Sequence, residues 1–168
     1  MDKAIFESVK LNIEEVNAEM ESAAISAGRK PGDVHLMAVT KTKPLEFAEA
    51  AYMAGVRLFG ENRVTELEEK FTSFHKDAKV HLIGHLQRNK AKKAFPIADS
   101  IDSIDKAETA LELDRLCKTK GKILDILLEY NTSGEDSKSG FSSEKDLLES
   151  ADQIRALGSI RIKGLMTI

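Results

Sequence analysis

The sequence has one cysteine in 168 residues, Cys117, so no internal disulfide can form. Its position in the helix-like run from Glu108 to Lys118 suits a packed or idle thiol in a reducing compartment. No run approaches the ~18 apolar residues of a membrane span. Residues Met1 to Lys10 alternate charged with apolar side chains and lack the apolar core of a signal peptide. A strong charge of one sign is also missing. With 25 Lys and Arg against 28 Asp and Glu, the net charge of -3 gives no general attraction for nucleic acid or anionic lipid. No glycine-rich phosphate loop of the Walker or dinucleotide type occurs, so nucleotide-triphosphate and NAD chemistry lack support. Arg88, Lys90, Lys92 and Lys93 cluster without an interleaved aromatic platform and read as a solvated helix face. His81 and His85 are four apart, a ligand spacing only on a helix, and here a strand and Gly84 intervene, so no metal site is expected. These absences leave a cytoplasmic protein with a small partner.

The chain is 42% hydrophobic and 32% charged, enough for one core and too short for two ordinary domains. Ile5, Val9, Ile13, Val16 and Met20 recur at three- and four-residue spacing, the stripe of an amphipathic helix from about Asp2 to Ala27. Gly28, Pro31 and Gly32 break it. Val34 to Val39 reads as a strand buried on both faces. Pro44 opens a helix with Leu45, Ala48, Ala51 and Tyr52 on its apolar side, which Gly55 closes. The unit then repeats. Strands are predicted at Val56 to Phe59, Val80 to Ile83, Ile97 to Ile104, Ile123 to Tyr130 and Arg161 to Met166. Helices are predicted from Val64 to Phe71, Gln87 to Phe95, Ala107 to Lys118 and Ser143 to Leu157, with Ser142 or Ser143 as N-cap of the last.

Strands alternating with helices through short loops form a parallel α/β pattern, either an open doubly wound sheet or a barrel. Lys41, Lys43, Glu61, Asn62, His85, Gln87, Asp102, Ser103 and Lys138 all fall just after strands. In a (β/α) barrel those loops share one face, which favours the barrel.

The run Leu36-Met37-Ala38-Val39-Thr40-Lys41-Thr42-Lys43-Pro44 ends a strand on two lysines. A lysine where the chain leaves the core is half desolvated, which disfavours its ammonium form and frees the amine to attack a carbonyl. In an extended backbone Lys41 and Lys43 point to one side, and each lowers the other's pKa. The plainer reading is a strand that ends on two solvated charges. Asn62 in Gly60-Glu61-Asn62 is either an N-cap or an amide aimed at a ligand. Lys138-Ser139-Gly140 reads on its own as a flexible turn.

Together, Ala38 to Pro44, Phe59-Gly60-Glu61-Asn62, His81 to Lys90, Ser100-Ile101-Asp102-Ser103, Ser133 to Phe141 and Gly164-Leu165-Met166 resemble the pyridoxal phosphate homeostasis protein family, in that family's order. The resemblance implies an alanine-racemase-like α/β barrel of the (β/α)8 TIM-barrel type, with about six of eight strands present. It implies a single cofactor-binding domain over residues 1–168 that lacks the last two strand-helix units, and with them a serine-rich loop and an arginine-containing segment that hold the phosphate. It implies pyridoxal 5′-phosphate as cofactor, held as a Schiff base on Lys41, with Asn62 beside it. Lys43 and Lys138 are then nearby cations, and Met166 joins the cofactor-binding set.

Members of that family resemble carriers or regulators of the free cofactor pool, with cofactor-requiring apo-enzymes as candidate recipients and no catalytic residues implied. A racemase-like enzyme is the alternative. Racemization needs a second acid/base on the opposite face of the cofactor, which the barrel-type racemases take from a separate domain. A cofactor-free scaffold for a protein partner is a third reading, and it leaves the loop motifs unexplained.

Overall fold

The computed structural model describes residues 2–135 and 138–168. Among the described residues, six strands form one parallel sheet in the order β1-β2-β3-β4-β5-β6: β1 (Ala38–Val39), β2 (Leu58–Glu61), β3 (Lys79–Leu82), β4 (Ser100–Ile104), β5 (Leu124–Glu129) and β6 (Ile160–Met166). The sequential order is that of a chain winding in (β/α) units, as the alternating pattern predicts. The chain divides into two compact units, Met1–Gly60 with Phe74–Lys79, and Glu61–Ser73 with Val80–Ile168.

In the first unit, helix α1 (Lys3–Ser26) starts at Asp2, whose carboxylate accepts from the Ala4 N–H at 2.8 Å. Ile5, Val9, Ile13 and Met20 are half-buried, whereas Val16 is 39% exposed. The predicted stripe is therefore real but thinner. Helix α2 (Leu45–Met53) buries Ala48, Ala50 and Ala51. Strand β1 corrects an expectation. It is two residues long, pairing Ala38 with Phe59 and Val39 with Gly60, and Val39 is 44% exposed. An apolar run looks the same whether its strand lies inside a sheet or at an edge, and β1 ends the strand order. At the other end of β2, the Tyr52 hydroxyl donates to Asp77 at 2.7 Å and the ring stacks on His75 at 3.6 Å between centroids. Asp77 also accepts from Arg57 Nε at 2.9 Å.

In the second unit, helix α3 (Val64–Phe71) turns Val64, Leu67 and Phe71 inward, the three residues that mark it in the sequence. The helix predicted over Gln87 to Phe95 is instead a 3-10 turn (Arg88–Lys90) followed by a single α turn, α4 (Ala91–Ala94). Neither start has a side-chain cap, and cations occupy the first turn, where the helix dipole disfavours them. Helix α5 (Ala107–Lys120) ends on Gly121 at φ 61°, and Cys117 on it is buried, which raises the thiol pKa. Helix α6 (Glu144–Arg155) starts at Ser143, whose hydroxyl accepts from the Asp146 N–H at 3.1 Å. The core is Leu82, Leu86, Ile101, Ile104, Leu113, Leu124, Ile126, Leu128 and Ile154, all fully buried. Each such side chain contributes about 1.5–3 kcal/mol of hydrophobic stabilisation. No helix among the described residues is long and apolar enough to cross a membrane.

Candidate functional site

The second unit holds a cavity of about 230 Å³ at the C-terminal ends of its strands. Asn62 follows β2, Gly84 and His85 follow β3, Glu129 ends β5, and Lys138 comes from the loop after β5. Residues at the carboxyl ends of parallel strands are those the fold leaves free of ladder and core duties.

Asn62 is held from both sides. Before it, the buried Glu61 carboxylate accepts from Lys70 Nζ at 2.8 Å, and the same ammonium donates to Glu66 at 2.7 Å. Burial works against the Lys70 ammonium, but hydrogen bonds to Glu61 and Glu66 outweigh it and raise the pKa above the ordinary lysine value. The second constraint is Gly84. A Cβ there would lie 2.7 Å from Asn62 Cα, so only glycine lets the two backbones pass. The Ser103 hydroxyl donates to the Gly84 carbonyl at 2.6 Å and fixes that loop. Arg63, not Asn62, occupies the N-cap position of α3. The N-cap reading of Asn62 is thereby corrected, and Asn62 is one of the residues that line the cavity.

The two histidines are each engaged by an aspartate. His81 Nδ1 lies 2.8 Å from Asp102, which also accepts from the Ser100 hydroxyl at 2.5 Å. His85 Nδ1 lies 3.1 Å from Asp105. Lys138 Nζ lies 3.2 Å from the Glu135 carboxylate. The Asn131 carboxamide donates to the Glu135 carbonyl at 2.9 Å and organises the same loop. Asp136 and Ser137, within the Ser133 to Phe141 motif, lie outside the described residues, as does Met1. Met166 pairs with Glu129 across β5 and β6, and its carbonyl accepts from the Tyr130 N–H at 2.9 Å.

Glu129 is the group that the sequence motifs miss. It is 5% exposed, lines the cavity, and its Oε2 has no hydrogen-bond partner among the described residues. Burial raises its pKa, the Asp105 carboxylate raises it further, and His85 opposes the rise. The signal was present: a single acid closes the otherwise apolar run Ile126-Leu127-Leu128. The same logic singles out Lys41.

Lys41 and Lys43 belong to the first unit, and there two expectations are corrected. The backbone between them is not extended. Lys43 N donates to the Thr40 carbonyl at 3.1 Å, closing a turn, and Thr42 sits at φ 60°. Positive φ is a genuine outlier for a β-branched residue. The spacing rule for strands therefore does not set the directions of the two lysines. Lys41 is also exposed, not half desolvated, while Thr40 before it is buried. Lys43 Nζ lies 5.3 Å from the centroid of the Phe47 ring. The structure thus brings Asn62 and Lys138 to one cavity, with Met166 paired beside Glu129, and holds Lys41 and Lys43 in the other unit.

A parallel (β/α) sheet with polar residues gathered at strand ends defines the class, and comparison with known proteins supplies the family. The family model described as alanine racemase, N-terminal domain, matches residues 13–168. The chain belongs to this family. It is 39% identical over 166 residues to the pyridoxal phosphate homeostasis protein of Vibrio cholerae, covering 96% of this chain and 70% of that one. An unknown protein from Bifidobacterium adolescentis has a similar structure, with TM-score 0.91 and 34% identity over 100% of this chain and 72% of that one. PipY of Synechococcus elongatus PCC7942, with pyridoxal phosphate bound, matches with TM-score 0.74 and 35% identity, over 89% of this chain and 69% of that one. Alanine racemase of Clostridium difficile 630, at 16% identity and TM-score 0.69 over 80% of this chain and 36% of that one, shares the fold.

Proposed function

We propose that this chain binds pyridoxal 5′-phosphate and acts in intracellular homeostasis of that cofactor as a carrier. Lys41 is the covalent anchor, and Asn62, Lys43, Lys138 and Met166 are cofactor contacts. The observation that carries this reading is the likeness, at 35% identity, to a relative's structure with pyridoxal phosphate bound. The residues of the second unit suit such a group: Asn62, Lys138 and Glu129, whose Oε2 has no partner among the described residues, line one cavity, and Gly84 leaves room for Asn62 beside it.

When bound, the cofactor supplies an aldehyde carbon that a lysine amine can attack and a ring that withdraws electrons. Lys41 presents its amine at the surface, where an incoming aldehyde can reach it. Lys138 gives long-range attraction for a phosphate, as a flexible point charge without fixed geometry. Asn62, its backbone pinned between the Glu61–Lys70 pair and Gly84, carries a carboxamide with both a donor and an acceptor. A carrier needs no more than this. Stereospecific turnover would need a paired acid and base on opposite faces of the cofactor. The recipients in this reading are cytoplasmic apo-enzymes that require the cofactor.

The test is an absorbance titration of the chain and of Lys41→Ala with pyridoxal phosphate. The expected result is a saturable yellow band in the chain that is lost in the variant. Absence of saturable binding by the chain would overturn the reading.

A further inference from the structure

Six residues whose side chains can donate a hydrogen bond, Asn62, His85, Tyr130, Asn131, Lys138 and Ser139, line the cavity that Glu129 closes. None of them reaches Glu129 Oε2, which has no partner among the described residues although the side chain is 95% buried. Two of them are engaged elsewhere, His85 with Asp105 at 3.1 Å and Lys138 with Glu135 at 3.2 Å. A buried carboxyl without a partner costs about 1–3 kcal/mol or more. A side chain kept at that cost and aimed into a cavity points to a molecule that completes it.

The groups that face Glu129 decide which form of the carboxyl is used. From the loop after β4 comes Asp105, a second carboxylate, and from the loop after β3 comes His85, already turned to Asp105. The loop after β5 brings Lys138, which shares its charge with Glu135. From β6 comes Met166, which has no titratable group. Burial and Asp105 both disfavour the anion, and His85 only partly compensates. A neutral carboxyl has an O–H to give.

We propose that Glu129 is a ligand-contacting carboxyl of this cavity, donating its O–H to an anionic oxygen of the bound molecule and so making binding depend on pH. The inference rests on the cofactor reading for the ligand, pyridoxal phosphate, whose anionic oxygens suit such a donor. Burial keeps a carboxylic acid neutral, and so able to donate, in known enzyme sites. Binding would then draw a proton onto Glu129, and affinity would fall as that proton is lost.

The experiment measures pyridoxal phosphate affinity from pH 5 to 8 for the chain, Glu129→Gln and Glu129→Leu. Glutamine keeps a donor at every pH, and leucine has none. Taking ratios to the chain at each pH cancels the titration of the cofactor and of the lysines. The expected result is that the Gln variant gains on the chain by about tenfold across this range, while the Leu variant is about tenfold weaker at the acid end, as for one charge-assisted hydrogen bond. A Gln variant as weak as the Leu variant would show that an anion is needed and overturn the proposal. Equal affinity of all three at every pH would do the same, yet leave the cofactor reading intact, because the yellow band would still form on Lys41. No binding by any of the three would overturn both. Should the Leu variant fail to fold, the pH dependence of the ratio between Gln variant and chain still decides.

Discussion

Gly84 and Asn62 touch backbone to backbone: a Cβ at position 84 would lie 2.7 Å from Asn62 Cα and 2.8 Å from its carbonyl carbon. No flexible side chain stands in the way that could move aside. Gly84→Ala must displace the backbone of one of the two residues, and overpacking of this kind costs about 1–3 kcal/mol. We expect that loss in urea denaturation, together with weaker pyridoxal phosphate binding. Gly32→Ala is the control, since nothing lies within 4 Å of a Cβ there, and its stability should change by no more than about 0.5 kcal/mol.

Lys70 is the second support of Asn62. Its ammonium joins Glu61 and Glu66 at 2.8 and 2.7 Å in a place where little water reaches. Lys70→Met would take one ion-pair partner from each of two carboxylates, one of them fully buried, and should cost about 3–5 kcal/mol. The double variant Lys70→Met, Glu61→Gln should recover part of that loss, which equilibrium unfolding of both variants measures. Because the folded-state pKa of Lys70 is raised, the stabilisation is fully present below its ordinary value of 10.5 and is lost as pH rises through the folded value.

Glu129 gives a signature of the same sign in a lower pH window. Its pKa is raised from the ordinary 4.5 by burial and by Asp105, so the folded state binds more protons than the unfolded state just above that pH. Stability contributed by the neutral carboxyl is present below 4.5 and is lost as pH rises from there towards the folded value. Glu129→Gln removes the titration. Its stability relative to the parent chain should therefore increase between about pH 4.5 and 7, as urea midpoints at several pH values would report. A constant difference would mean that Glu129 has the same pKa folded and unfolded.

Thr42 holds a left-handed conformation at φ 60°, which costs an L-residue about 1–2 kcal/mol. Glycine relieves that strain but adds freedom to the unfolded chain. Thr42→Gly should therefore stabilise the protein by about 0.5–1 kcal/mol in thermal or urea unfolding. A destabilised variant would show that the threonine side chain contributes more than its backbone costs.

Much of this architecture is legible in the residues. The apolar spacing of Val64, Leu67 and Phe71 locates α3, the Ser143 hydroxyl marks the start of α6, and the strand-helix alternation yields the parallel sheet. What the sequence hides depends on neighbours distant along the chain. Val39 is exposed because β1 has only one strand partner in the strand order. Thr42 departs from extended geometry because a turn closes between Thr40 and Lys43. The value of Gly84 depends on Asn62, a residue in another loop, and Glu129 gains interest only because none of its cavity neighbours bonds to its Oε2. Asn62 and Lys138 are recognisable as motif residues, but their shared cavity is not readable from spacing.

The central claim is that one lysine, Lys41, anchors the cofactor. Borohydride reduction of the chain with pyridoxal phosphate, followed by peptide mapping, tests it directly. The account predicts a single dominant label on Lys41 that is absent in Lys41→Ala. Label on Lys43, or spread over surface lysines in proportion to their number, would contradict it.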